Sequence, residues 1–137
     1  MLAENIFVDT GAWVALADSK DTKHGKAASA FPSVLAAHRR IITSNLVIAE
    51  TYIILVKALG HAAALAFLEK IKTSPRIVRV YSTEAIESEA QAMLARYHDH
   101  DFSYTDAVSF TIMKKHNIRK AFAFDKHFRT AGYLTVP

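Results

Sequence analysis

Residues 6–17 read Ile6-Phe7-Val8-Asp9-Thr10-Gly11-Ala12-Trp13-Val14-Ala15-Leu16-Ala17, an apolar triplet that ends on an acid and passes at once into a run with helical character. The triplet reads as a short strand and Gly11 to Ala17 as a helix, so the chain opens by feeding a strand into a helix. The same step recurs further along. Lys20 to Lys26 is polar and expected at the surface. An Ala-rich helix then runs to about Arg40, with Pro32 at its kink or its start, and Ile41-Ile42-Thr43 is the second strand. Ser44 or Asn45 should cap a helix that runs to about Ala58 and stops at Gly60, and a further helix covers His61 to Lys72.

In the second half, Ile77-Val78-Arg79-Val80-Tyr81 alternates as a strand does, and Ile86, Ala90, Met93, Leu94 and Tyr97 then share one helical face. A helix from near Ser103 to Asn117, a strand Ala121-Phe122-Ala123-Phe124, a short helix from Lys126 to Ala131 stopped by Gly132, and an edge strand over Leu134 to Val136 complete the pattern. Strands alternating with helices predict an α/β fold with a mainly parallel central sheet of four to five strands flanked by helices. Such sheets carry right-handed crossovers and a functional crevice at the carboxyl ends of the strands. There are no repeats, linkers or low-complexity tracts.

The 137 residues suffice for one sizeable core, and residues 1–137 are read as one domain. About half of the residues are apolar and 22% are charged, which places the chain among folded proteins rather than disordered ones. It contains no cysteine, so disulfides, thiolate metal sites and a thiol nucleophile are excluded, leaving carboxylates and histidines as metal ligands. Met1 to Asn5 lacks the features of a signal peptide. The most apolar stretch, Leu46 to Leu68, is broken by Glu50, Lys57, Gly60 and His61 and has the periodicity of a core helix rather than a bilayer span. The expected location is therefore cytoplasmic. A formal charge of +4 and a pI near 9.4 favour an anionic partner, nucleic acid first, although soluble proteins also carry such an excess.

Four acids stand at places where this topology concentrates chemistry. Asp9 and Asp125 each follow a strand and precede a helix, a position where Asp is common because it caps free N–H groups. Asp106 closes Ser103-Tyr104-Thr105-Asp106, the spacing of a capping box. Taken singly, all three read best as caps. Glu50 differs: Val47, Ile54 and Ala58 place it within the apolar stripe of its helix, where an unpaired carboxylate is costly. Its partner is either a core Lys or Arg or a metal ion. Together the four acids can reach one crevice, and their repulsion there calls for a cation; hard oxygen ligands suit Mg²⁺, or Mn²⁺. A divalent ion so held supports phosphodiester hydrolysis with no protein nucleophile. Lys126 and Arg129, and the cluster Lys114, Lys115, Arg119 and Lys120, are available to attract a polyanion, though each singly reads as solvated surface.

The runs Phe7-Val8-Asp9-Thr10, Ile48-Ala49-Glu50, Tyr104-Thr105-Asp106-Ala107 and Phe124-Asp125-Lys126-His127-Phe128 together resemble the PIN-domain family, especially its toxin ribonucleases of VapC type. The resemblance spans nearly the whole chain. It implies a single PIN-like nuclease domain, an endoribonuclease with Asp9, Glu50, Asp106 and Asp125 as catalytic metal ligands for Mg²⁺ or Mn²⁺, and Thr10 as an accessory hydroxyl that orients the metal or its water. It further implies an RNA substrate, a compact homodimer, and a small antitoxin whose tail enters or covers the acidic crevice of a type II toxin-antitoxin pair. Gly11 departs from the second hydroxyl that many relatives carry there. Asp101 is a possible accessory ligand and Asp99 a further nearby acid, both reading better as loop; His98, His100 and His127 stand outside the proposed site because no paired helical spacing links them to a zinc motif.

Two rivals remain. Val8-Asp9-Thr10-Gly11 has the form used by dimeric aspartic proteases, but that fold is almost wholly β, whereas the patterns after Ile86 and Ser103 are helical. A non-catalytic PIN-like module that binds RNA or protein is the other; such a module would not need to tolerate the repulsion of four acids.

Overall fold

The computed structural model describes residues 4–137; the part of the N-terminal reading that falls on Met1 to Ala3 lies outside them. The elements in chain order are β1 (Ile6–Val8), α1 (Thr10–Ala17), α2 (His24–Ala37), β2 (Ile41–Ser44), α3 (Asn45–Leu59), α4 (His61–Thr73), β3 (Ile77–Val80), α5 (Glu84–Arg96), α6 (Tyr104–Lys115), β4 (Lys120–Phe122), α7 (Lys126–Thr130) and β5 (Leu134–Val136). The five strands form one sheet in the order β3-β2-β1-β4-β5, and every neighbouring pair is parallel. This is the expected α/β architecture with the full five strands, and it excludes the all-β protease alternative.

Strand β1 lies at the centre. Ile6 and Phe7 pair with Ile41 and Ile42 of β2, and Phe7 and Val8 pair with Ala121 and Phe122 of β4. Ile6, Phe7 and Val8 are wholly buried, as strands covered by helices on both faces must be. The chain runs outward from β1 through β2 to β3, then returns to the other side of β1 as β4. The strand order therefore reverses between β1 and β4, and a crevice at the carboxyl ends of the strands follows from that reversal. Asp9 follows the end of β1 and Asp125 follows β4 after two residues, so the topology sets both acids beside the crevice.

Several local expectations are refined. Helix α2 begins at His24, so Pro32 marks its interior rather than its start. Pro32 and Ala28, whose carbonyl loses its helical donor, are both exposed, so water can replace the missing bond. Ser44 is the cap of α3, accepting from the Val47 N–H at 3.1 Å, while Asn45 accepts the Ser82 N–H. Gly60 (φ +92°) ends α3 and starts α4 in a conformation that side-chain-bearing residues avoid. The fourth strand is Lys120–Phe122, one residue earlier at its start and two shorter at its end than expected. Helix α5 buries Ile86 and Ala90, with Met93 and Leu94 packed against the core.

Candidate active site

Asp9 occupies the N-cap position of α1, yet its side chain makes no cap hydrogen bond. The capping role that best explains an Asp at such a place is therefore absent here. The residue is only 7% exposed, and burial pushes its carboxyl from 3.8 up to about 7. The Thr10 backbone N–H acts the other way, and the charges of Asp106, Asp125 and Glu50 add to the rise. All three other predicted acids therefore lie close enough to act on Asp9.

The strand that delivers Asp9 is fixed by a buried polar chain. The indole N–H of Trp13 donates to the Thr43 hydroxyl (3.2 Å), which donates in turn to the Val8 carbonyl (3.1 Å). The last peptide of β1 is thereby tied to β2 and to α1. In the sequence Trp13 and Thr43 read only as parts of a helix and a strand, since nothing in their spacing of 30 residues announces the pair.

Asp106 does cap. Its N–H donates to the Ser103 hydroxyl and its Oδ2 accepts the Ser103 N–H, both at 3.0 Å, completing the predicted box at the start of α6. The same Oδ2 lies 2.9 Å from Nδ1 of His127. Asp125 caps α7, accepting the His127 N–H at 2.8 Å, and its Oδ1 lies 3.3 Å from the same imidazole nitrogen. An ionised carboxylate only accepts, so Nδ1 carries the proton, and His127 bridges the two acids. Ligand atoms of Asp106, Asp125 and His127 all lie within 4.8 Å of one another. The sequence alone leaves His127 outside the site, and the structure brings it in. The signal lay in its place two residues after Asp125, at the first turn of a helix that starts at the crevice.

Glu50 corrects an expectation of another kind. It is exposed, and its helix buries Val47, Ile48, Thr51 and Leu55 while Ile54 stays 41% exposed and Ala58 is open to solvent. The apolar stripe inferred through Ile54 and Ala58 is thus rotated away from the true one. Its partner is neither a Lys nor an Arg. The Thr10 hydroxyl donates to its Oε1 (3.1 Å) and the Thr105 hydroxyl to its Oε2 (2.6 Å), which aims the carboxylate at the crevice from α1 and α6 at once. Thr10 was anticipated as an accessory group; Thr105 was not. Asp101 is exposed, is not among the charges felt by Asp9, and is not among the three clustered ligands. Asp99 is also exposed and pairs with His100 at 3.1 Å.

A buried acid raised toward neutrality, two capped acids and a fourth acid oriented by hydroxyls make a hard, oxygen-rich set with one imidazole at its edge. Such a set fits a divalent cation of the Mg²⁺ or Mn²⁺ kind: among the described residues no cationic side chain acts on the buried Asp9, and its charge is compensated only in part by a backbone amide.

Comparison with known proteins gives consistent results. The family model described as PIN domain matches residues 6–133. The chain is 37% identical over 132 residues to the 23S rRNA-specific endonuclease VapC20 of two Mycobacterium tuberculosis strains, covering 96% of this chain and 97% of the relative. The crystal structure of M. tuberculosis VapC20, described as a sarcin-ricin loop cleaving toxin, superposes with a TM-score of 0.87 at 36% identity, covering 94% of this chain and 96% of that one. At 12% identity, a chain from the VapBC2 structure of Rickettsia felis shares the fold, with a TM-score of 0.70 and 97% of each chain covered.

Proposed function

The chain belongs to the PIN-domain family, and from that premise we propose that it is a metal-dependent endoribonuclease, the toxin of a type II toxin-antitoxin pair, acting as one catalytic unit over residues 1–137. The observation that carries the reading is the state of Asp9: a buried carboxyl pushed up to about 7, partly by three neighbouring acids, is unfavourable for a bare protein and useful to one that binds a cation. Asp9, Glu50, Asp106 and Asp125 would hold the ion, Mg²⁺ first and Mn²⁺ as the alternative, with His127 at the edge. A bound divalent ion supplies Lewis acidity, acidifying water for attack on phosphorus and offsetting charge that builds on the phosphate.

The chain's own groups do the rest. Thr10 and Thr105 fix both oxygens of Glu50. His127 holds Asp106 and Asp125 in register, and the Trp13–Thr43–Val8 chain holds Asp9 in place. Lys126 and Arg129, both exposed on α7, offer cations to the RNA backbone beside the acids. Hydrolysis adds water across one phosphodiester, forming one P–O bond and breaking another, while the departing oxygen takes a proton.

The sarcin-ricin loop of 23S rRNA, cut by the VapC20 relative, is the first substrate to try. A homodimer is supported by the exposed apolar side chains Ile53, Ile54, Leu59 and Leu65 on α3 and α4. A small antitoxin is supported by the relative's description as a toxin, and an acidic crevice suits a basic side chain from such a partner. No helix among the described residues is long and apolar enough to cross a membrane, which agrees with the proposed cytoplasmic location.

The test is cleavage of a sarcin-ricin loop RNA and of an unrelated structured RNA, with Mg²⁺ or Mn²⁺ and with EDTA, alongside Asp9→Asn. Cutting that needs the ion and is lost in Asp9→Asn is expected. Cutting in EDTA overturns the metal mechanism, and RNA binding without cutting under any divalent ion selects the non-catalytic module.

A further inference from the structure

A second concavity stands apart from the acidic crevice. Helices α5, α6 and the end of α7 line an open concavity of about 730 Å³, within the size range of small-ligand sites. Its lining includes the rings of Tyr97, Phe102 and Tyr133 and the cations Arg96, Lys114 and Lys115. The single acid in the lining, Glu89, lies 3.8 Å from Lys115, which leaves a net positive mouth. Rings beneath cations suit a nucleotide, whose base stacks while its phosphate is neutralised.

The cavity also shares a wall with the acids. Phe102 packs edge-on to Phe110 (ring centroids 5.2 Å apart) inside the cavity and to His127 (5.5 Å) on the crevice side. Its neighbour Ser103 is the capping partner of Asp106, so a strand leaving the acidic centre meets this cavity across one aromatic side chain.

We propose that this cavity is a nucleotide-binding subsite that takes an unpaired base of the same RNA strand, flanking the phosphate held at the acids. The proposal rests on the ribonuclease reading for its ligand. A base extruded here stacks on the exposed ring of Tyr97, and the adjoining phosphates meet Arg96 and Lys114. The subsite thus selects RNA with an unpaired residue close to the cut and positions the strand without touching the reacting atoms.

The experiment measures binding of a fluorescein-labelled single-stranded RNA of roughly ten nucleotides by anisotropy, in EDTA at low salt so that no cutting occurs, and cleavage of the same RNA with Mg²⁺. Tyr97→Ala and Lys114→Ala alter exposed side chains; Lys57→Ala, an exposed cation on α3, is the control. Tyr97→Ala is expected to weaken binding at least fivefold, the lower range for loss of one base–aromatic stack. Lys114→Ala is expected to weaken it and to reduce the salt slope by about one ion. Both should raise KM and leave kcat near that of the wild type. Unchanged affinity in both variants, beside wild-type cleavage, overturns the subsite and leaves the nuclease standing. Binding that depends on Tyr97 and Lys114 in a protein that cuts neither this RNA nor a sarcin-ricin loop RNA with Mg²⁺ or Mn²⁺ supports the subsite and overturns the nuclease. Binding of AMP that both variants weaken, beside unchanged RNA affinity and cleavage in both, assigns the cavity to a free nucleotide and overturns the strand proposal.

Discussion

Asp9 and Asp106 are both buried acids at helix starts, but they are held in opposite ways. The Asp106 carboxylate accepts the Ser103 backbone N–H and meets the His127 imidazole, and it serves its helix as half of the capping box. Among the described residues Asp9 meets only the neighbouring backbone N–H; it caps nothing with its side chain and has three other acids near it. The difference separates an acid that the fold uses from one that the fold merely tolerates. Such tolerance at a topological switch point is the mark of a group kept for its chemistry. Substitution should therefore split activity from stability at Asp9 and couple them at Asp106.

The largest effect expected is on cleavage. Asp9→Asn should lower single-turnover RNA cleavage on the order of a hundredfold or more, the scale for removing one group that stabilises charge in an active site. Circular dichroism and urea unfolding should show the fold intact. Retention of wild-type cleavage by Asp9→Asn would falsify the contrast between the two acids.

Next in size is the dependence of stability on pH without metal. The folded carboxyl of Asp9 titrates at about 7, above its ordinary value of 3.8, so between these values the folded state binds more protons than the unfolded one and stability falls as pH rises. The destabilisation is absent below about pH 4 and complete above about pH 7. A rise of this size corresponds to roughly 4 kcal/mol. In EDTA, urea unfolding of the wild type should weaken across that window, and Asp9→Asn should flatten the decline and be the more stable protein at pH 8. A variant less stable than wild type at pH 8 would show that Asp9 has a structural partner after all.

Mg²⁺ or Mn²⁺ should offset the same repulsion. At pH 8, an ion at a hundred times its Kd should add about 2.7 kcal/mol to the unfolding free energy. The gain should shrink in Asp9→Asn, and differential scanning calorimetry reads it without reference to activity. No shift in melting at any ion concentration would detach the cluster from metal binding.

At Asp106 the sign reverses. Asp106→Ala removes the carboxylate half of the box at the start of α6 and leaves the Ser103 hydroxyl in place, so it should cost about 1 kcal/mol in urea unfolding, whereas Asp106→Asn keeps an oxygen acceptor and should recover part of it. If Asp106→Ala were as stable as wild type, the cap would carry no weight and the two acids would be alike.

The sequence disclosed more of the fold than of the site's internal contacts, and particular residues show why. Ile6-Phe7-Val8 and Ile41-Ile42-Thr43 were legible because complete burial leaves no choice of residue type. Asp9, Asp106 and Asp125 were legible as positions because strand ends and helix starts follow from the same patterning. Their environments were not, since hydrogen-bonded caps and a bare buried carboxyl look alike in one dimension. Glu50 was misjudged because Ile54 and Ala58, apolar but exposed, imitate a core stripe beside the true one through Val47, Thr51 and Leu55. His127 escaped because Asp106, the second acid it bridges, lies 21 residues away, and Thr105 because Glu50 lies 55 residues away, beyond any local periodicity.

Thr105 supplies the smallest and most selective test. Its hydroxyl reaches Glu50 at the rim of the crevice, where water can replace a lost donor, so Thr105→Val should change stability by no more than about 0.5 kcal/mol. Its consequence should appear in cleavage. With only the Thr10 hydroxyl left, Glu50 can turn about that contact, and kcat should fall by several-fold, on the order of one lost hydrogen bond, while the affinity for RNA in EDTA stays unchanged. Thr105→Ser, which keeps the hydroxyl, should restore most of the rate. If the serine variant is as slow as the valine variant, packing of the methyl group rather than the bond to Glu50 sets the rate, and the rim of the site is organised by shape rather than by hydrogen bonding.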